Sequence, residues 1–201
     1  MENRGKRLII ATNNAGKVRE IKAILSGAFS MIVSLKDAGL QIEVVEDGVT
    51  FEENAIKKAK EVAKVTGCMA LADDSGICVD YLKGAPGVYS ARFSGEGATD
   101  EKNNQKLIGL LRDVPFDQRG AHYACVMALC GPEGNAITAY GEVNGVIVLE
   151  PKGNGGFGYD PYFYLPEYGQ TMAELPAEVK NGLSHRFFAL QALKEKLSGT
   201  K

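Results

Sequence analysis

Two histidines and four cysteines are all that this 201-residue sequence offers a soft or borderline metal ion. Neither His122 nor His185 stands beside a cysteine at ligand spacing, and Cys68, Cys78, Cys125 and Cys130 form no C-x-x-C pair. A zinc site is therefore not expected. The four thiols fall in apolar stretches and read as small buried hydrophobes in a reducing compartment. No apolar run approaches the roughly 20 residues of a membrane span. Met1 to Arg7 is polar, and the apolar run Leu8 to Ala11 behind it is too short for a secretory signal. The expected location is the cytoplasm, with no membrane partner. A basic excess is also missing: 23 Lys and Arg stand against 25 Asp and Glu, a formal net charge of −2, which argues against polymeric nucleic acid as the main ligand. There is no Walker A loop, no G-x-S-x-G elbow, no internal repeat and no low-complexity segment. What remains is ordinary for a globular chain, 45% hydrophobic and 24% charged. Residues 1–201 read as a single domain burying roughly 70% of its unfolded surface.

Against that background one stretch stands out, Leu71-Ala72-Asp73-Asp74-Ser75-Gly76. The apolar run Cys68 to Ala72 reads as a buried strand that ends at two adjacent carboxylates. Open α/β sheets bind ligands at the carboxyl ends of their strands. Two acids side by side repel unless a cation or a proton relieves them, and a hard cation shared with phosphates, Mg²⁺, is one remedy. A polar turn whose Asp side chains cap backbone amides is the other reading.

Arg7 to Ala11 reads as a first buried strand, and Val18, Ile21, Ile24 and Leu25 keep helical spacing behind Thr12-Asn13-Asn14-Ala15-Gly16-Lys17. A polar loop between strand and helix is either an anion site, with Lys17 adding charge, or an ordinary capped turn. Met31 to Leu35 reads as a strand and Gln41 to Gly48 as an extended segment or loop. Thr50-x-x-Glu53 is a capping box opening a helix with apolar Ala55, Ile56, Ala59, Val62 and Ala63, ended by Gly67. In a β-α-β unit the N-terminus of that helix shares a sheet edge with the end of the Cys68 strand. Glu52 and Glu53 are thereby candidates to approach Asp74, with capping duty the alternative for Glu53. Ile77 to Leu82 reads as a separate strand and Lys83 to Ser94 as a long loop with Arg92 a candidate phosphate contact. A helix follows Thr99. Ala121 to Cys130, the turn Gly131 to Asn135 and Ala136 to Glu142 form a hairpin, with Val143 to Leu149 a further strand. In Gly153 to Asp160, four glycines bring backbone close to a ligand, and Phe157 and Tyr159 offer faces on which a base stacks. Pro176 to Lys180 suggests a helical turn. Ser184 caps a last helix whose first turn holds His185 and Arg186, cations at the end that disfavours them, which points to an acceptor-rich ligand.

These stretches, in order, resemble the inosine/xanthosine triphosphate pyrophosphatase family, in its bacterial branch. The matching segments are Ala11 to Lys17, Phe51 to Ala55, Ala72 to Gly76, Gly84 to Arg92, Gly155 to Pro161 and Ser184 to Arg186. The resemblance implies an α/β fold, a central mixed sheet flanked by helices, in two lobes around a substrate cleft, usually as a homodimer. It implies hydrolysis of non-canonical purine nucleoside triphosphates to monophosphate and pyrophosphate by water attack on the α-phosphorus, with Mg²⁺ as cofactor. Asp74 matches the proton acceptor and metal ligand, with Glu53 or Asp73 supporting the metal. Thr12, Asn13, Asn14, Ala15, Gly16 and Lys17 match the triphosphate loop, with Ser75 beside it. Phe157, Gly158, Tyr159, Asp160, Lys180, His185 and Arg186 match the base-binding set. A pyrophosphatase for other modified nucleotides and a non-catalytic nucleotide-binding protein are the alternatives.

Overall fold

In the computed structural model, residues 7–27 and 29–199 are described; the polar residues 1–6 lie outside them. Short apolar runs make strands, and stretches with one apolar face make helices, in the order β1 (Arg7–Ile10), α1 (Ala15–Ile24), β2 (Met31–Ser34), α2 (Phe51–Thr66), β3 (Met69–Val79), α3 (Asp100–Leu111), β4 (Gly120–Cys130), β5 (Ala136–Ile147), β6 (Phe163–Leu165), β7 (Gln170–Thr171), α4 (Ala177–Leu183) and α5 (His185–Gly199). The sheet has seven strands in the order β2-β1-β3-β4-β5-β6-β7. β1 pairs in parallel with β2 and β3, while β6 pairs antiparallel with β5 and β7. The sheet is mixed, as expected. No helix among the described residues is long and apolar enough to cross a membrane.

The helix ends follow local chemistry. Thr50 Oγ1 accepts from Glu53 N (3.1 Å) at the start of α2, and Gly67, at φ 62°, closes it with its amide on the Ala63 carbonyl. Such an N-cap contributes about 1 kcal/mol, and only glycine adopts the left-handed closing conformation without strain. Thr99 Oγ1 caps α3 in the same way, accepting from Lys102 N.

Two strand boundaries differ from the sequence reading. β3 does not stop at the Asp pair but runs unbroken from Met69 to Val79, and residues 80–82 form a 3₁₀ turn. The separate strand over Ile77 to Leu82 is thus the second half of β3. Likewise β5 continues to Ile147, absorbing most of the strand expected over Val143 to Leu149.

The chain divides into two compact units, Met1–Asp74 with Cys125–Gly141 and Arg186–Lys201, and Ser75–Ala124 with Glu142–His185. In the first unit the sheet carries a core on each face. Leu8, Ile10 and Leu71 pack with Ile21 of α1 and Leu190 of α5. Ile9, Ala70 and Ala72 pack with Ala55, Ala59 and Val62 of α2. In the second unit Ile77, Leu107, Leu111, Tyr123, Phe163 and Leu183 share one core. The four cysteines are free: Cys125 and Cys130 are buried as expected, whereas Cys68 and Cys78 are half-exposed. Burial pushes the Cys125 thiol up to about 12, which keeps it protonated and inert.

Gly76 shows how tightly β3 packs in the second unit. The Ser90 hydroxyl accepts from Ile77 N (2.9 Å) and donates to the Gly87 carbonyl (2.6 Å). A methyl group at Gly76 would collide with both that hydroxyl and that carbonyl. Gly76→Ala is expected to cost about 1–3 kcal/mol, read as a lowered urea midpoint at unchanged m-value; an unchanged midpoint would show that the Ser90 segment yields.

Candidate functional site

Side chains alternate faces along a strand, so Asp73 and Asp74, neighbours in sequence, project to opposite faces of β3. Asp73 lies on the face of Leu71, fully buried, toward α1 and α5. Asp74 lies on the face of Ala72, 5% exposed, toward α2. The repulsion expected of a carboxylate pair is thereby relieved by geometry, and each acid has its own cation.

On the first face Arg186 is 1% exposed and grips Asp73 twice, with Nη2 at 2.8 Å and Nε at 3.3 Å from Oδ2. Its Nη1 donates to Glu20 of α1. Lys17 Nζ stands 3.2 Å from Asp73 Oδ2. Burial pushes the Asp73 carboxyl up, but Lys17, Arg186 and Lys58 together outweigh it and hold it well below the usual carboxylate range. The acceptors that Arg186 demands at its helix N-terminus are therefore two carboxylates of the protein.

On the second face Lys58 of α2 places Nζ 3.0 Å from Asp74 Oδ1 and 2.7 Å from Glu46 Oε1. Asn54 Nδ2 donates to Asp74 Oδ2 at 3.2 Å, while its Oδ1 accepts from Gly48 N. Burial is the largest influence on both ionisable partners. At Lys58 the pull of Asp74, Asp73 and Glu46 outweighs it, and the ammonium is held. At Asp74 burial wins over Lys58 and Lys17, and the carboxyl is pushed up. A carboxylate with a raised proton affinity, held by two donors, is better suited to accept a proton than an ordinary one.

Beside Asn13 and Lys58 lies a cavity of about 370 Å³, walled by Ala11 to Asn14, Leu35, Ile42 to Val44, Glu46, Lys58 and Val62. The loop entering it is an N-terminal cap: Asn14 Oδ1 accepts from Lys17 N (3.1 Å) and Thr12 Oγ1 accepts from Asn14 N (3.2 Å). First-turn amides lack intrahelical partners and, with the helix dipole, attract anions. Ala15 and Gly16 occupy that first turn, and Ser75 is half-buried in β3 next to Asp74.

Glu53 is exposed and accepts from Val49 N (2.8 Å), the capping duty, and Glu52 accepts from the Thr138 hydroxyl. Because β3 runs on past the acids, the second turn of α2 faces Asp74, and Asn54 and Lys58 reach it where Glu52 and Glu53 do not. No group of three His, Cys, Asp or Glu among the described residues is placed to hold a metal ion. The expected trio Asp74, Glu53 and Asp73 is therefore not brought together; the carboxylate that shares Lys58 with Asp74 is Glu46. Mg²⁺ keeps several waters and takes one or two protein carboxylates beside substrate phosphates, so the hard-oxygen donors Asp74 and Glu46 fit it.

In the second unit the other candidates converge. Lys180 Nζ lies 2.6 Å from Asp160 Oδ2 and 5.0 Å from the centre of the Phe157 ring. Asp160 Oδ2 also accepts from Phe157 N (2.8 Å), and Tyr123 donates to Oδ1 (3.3 Å). The His185 ring stacks on Tyr123 at 4.8 Å and 14°. Tyr159 departs from expectation: it is 5% exposed and donates to the Ser90 carbonyl (2.8 Å), so it belongs to the core and only Phe157 keeps an accessible face. Burial pushes its phenol up.

Sequence reading missed Glu20, Glu46, Asn54, Lys58 and Tyr123. Lys58 was detectable, since it sits three residues after Ala55 and one before Ala59, on the apolar face of α2, where a lysine is buried only with a partner.

The Ham1 family model matches residues 8–196. A dITP/XTP pyrophosphatase of Geobacter sulfurreducens is 56% identical over 191 residues, 95% of this chain and 96% of that protein. A dITP/XTP pyrophosphatase of Escherichia coli strain K12 is 49% identical over 194 residues, 96% of this chain and 98% of that protein. The solved Ham1 protein of Staphylococcus aureus superposes with a TM-score of 0.84 at 40% identity, covering 98% of this chain and all of that one. The chain belongs to the Ham1 family.

Proposed function

We propose that this protein hydrolyses non-canonical purine nucleoside triphosphates (dITP, ITP and XTP) to the monophosphate and pyrophosphate. The observation that carries the reading is the Asp74 site beside the Thr12–Asn14 cavity in a chain about half identical, over nearly its whole length, to proteins named dITP/XTP pyrophosphatases. Asp74 accepts the proton of the attacking water; the water oxygen bonds to the α-phosphorus, the bond to the bridging oxygen breaks, and pyrophosphate leaves. Lys58 and Asn54 hold the Asp74 carboxylate in position, and Thr12 to Lys17 bind the phosphates through first-turn amides and the Lys17 charge. Asp74 and Glu46 would hold Mg²⁺, which would supply neutralisation of phosphate charge. Phe157 stacks on the base, and Asp160, Lys180 and His185 read its edge. Hypoxanthine and xanthine carry a 6-oxo acceptor where adenine carries a 6-amino donor, so adenine leaves buried donors unpaired. The four free thiols fit a cytoplasmic location, and a homodimer is the expected assembly.

A product assay tests the reading. The protein is incubated with inosine, xanthosine, adenosine and guanosine triphosphates, with and without Mg²⁺. Monophosphate plus pyrophosphate from the first two, in the presence of Mg²⁺ only, is the expected result. Diphosphate plus phosphate would move the attack to the γ-phosphorus and overturn the assignment, and so would equal turnover of adenosine triphosphate.

A further inference from the structure

Gly158 sits inside the base-binding segment in the left-handed region, at φ +64°, with no side chain of its own to anchor it. Both ends of the residue are nevertheless held. Its amide donates to Asp100 Oδ2 at 2.8 Å, and its carbonyl accepts from Asn104 Nδ2 at 2.9 Å. Asp100 and Asn104 are four residues apart in the first turns of α3, so they lie on one face of the helix and act as a two-point clamp. Asn104 is 8% exposed, whereas Asp100 is solvent-exposed.

The clamp fixes what flanks Gly158. Phe157 N donates to Asp160 Oδ2, and Asp160 N donates to the Phe157 carbonyl. The turn that sets the Phe157 ring and the Asp160–Lys180 pair is thus closed on itself and hydrogen-bonded to α3 through Gly158. A glycine-rich loop explores many conformations unless such contacts restrict it. A ring that must meet a base face-on gains affinity from being held in advance.

We infer that Asp100 and Asn104 are positioning residues for base recognition: by clamping the Gly158 peptide to α3 they set the stance of Phe157 and Asp160. This inference rests on the reading of Phe157 to Asp160 as the base-binding segment. Neither residue touches the phosphates in that reading, so its signature is a split between recognition of base and recognition of phosphate.

The experiment measures kcat and KM for dITP, and the inhibition constant of inorganic triphosphate as a probe of phosphate binding alone, in the full chain and its variants. Asn104→Ala is expected to raise KM for dITP about tenfold with kcat within about twofold and the triphosphate constant unchanged, tenfold being about 1.4 kcal/mol. Asp100→Ala shows a smaller rise because its bond is solvated, and Asp100→Asn, whose amide oxygen accepts the same bond, recovers most of it. Asn104→Asp sets a carboxylate against the Gly158 carbonyl and is worse than Asn104→Ala. Unchanged KM in Asn104→Ala, or inhibition by triphosphate weakening in parallel with KM, overturns the clamp. If Asn104→Ala fails to fold, the exposed Asp100 pair decides alone. Failure of the wild-type protein to hydrolyse dITP overturns the functional reading itself, an outcome distinct from a wild type that turns over beside variants with unchanged KM.

Discussion

Asp74→Asn is expected to lower kcat/KM for dITP by about 10²–10⁴-fold, the usual contribution of a positioned general base, while leaving the protein at least as stable. The two halves of that expectation come from one environment. Burial pushes the Asp74 carboxyl up, and Lys58 and Lys17 offset it only in part. An ionised group whose proton affinity is raised by folding destabilises the native state once the pH exceeds its ordinary range. An asparagine removes that cost. Its side-chain oxygen keeps one of the two bonds, to Lys58 (3.0 Å) or to Asn54 (3.2 Å). Lys58 retains Glu46 at 2.7 Å, so no ammonium is stranded. Steady-state kinetics and thermal melting on the same preparation check both halves. Activity within threefold of wild type would remove Asp74 from the role of base, whereas a melting temperature lowered by ten degrees would show that it holds the fold.

Asp73→Ala should do the reverse and damage the fold. Asp73 is fully buried and balances Arg186 and Lys17. Removing one partner of a buried ion pair costs about 3–5 kcal/mol, because the remaining charge is left in a poorly solvated site. Here the remaining charge is a guanidinium that cannot discard its proton, with Glu20 its other carboxylate partner. The pH dependence carries the sign. Lys17, Arg186 and Lys58 hold the Asp73 carboxyl below its ordinary 3.8 in the folded state. Its contribution is therefore present in full above 3.8 and is lost as pH falls below that value. Urea unfolding at pH 6 and at pH 3 is expected to show a large gap between wild type and Asp73→Ala at pH 6 that narrows at pH 3. A gap that is constant with pH would mean that the loss is one of packing and not of charge.

The contrast between these two neighbours explains what was legible in the sequence. Elements governed by local chemistry were readable: the Thr50 cap, the helix that follows Thr99, the Gly67 stop and the 3.6-residue stripe of α2. The continuity of β3 was not. Two aspartates inside an apolar run contradict the pattern of a central strand, and they read as its end. They are tolerated because each face of the sheet delivers a cation from far along the chain, Arg186 from 113 residues away on one side and Lys58 from 16 on the other. Sequence spacing carries no mark of a partner 113 residues distant. Nor does spacing show that Asp73 and Glu20 both accept from Arg186 in the first turn of α5. For Tyr159 the glycine-rich surroundings suggested a face offered to a base, whereas its burial and its bond to the Ser90 carbonyl show a core residue.

The alternation at 73 and 74 also makes β3 sensitive to parity. A strand displaced by one residue against β1 exchanges its faces throughout. Asp73 would then meet Lys58, and Asp74 would meet the guanidinium of Arg186, so the acid proposed as the base would be locked into the scaffold. A displacement by two residues restores the faces. Insertions and deletions within Met69 to Ala72 are thus graded by whether their length is odd or even. During folding, misaligned pairings of β1 with β3 are penalised by charge as well as by apolar mismatch, and the pair of aspartates serves as a reading frame for the centre of the sheet.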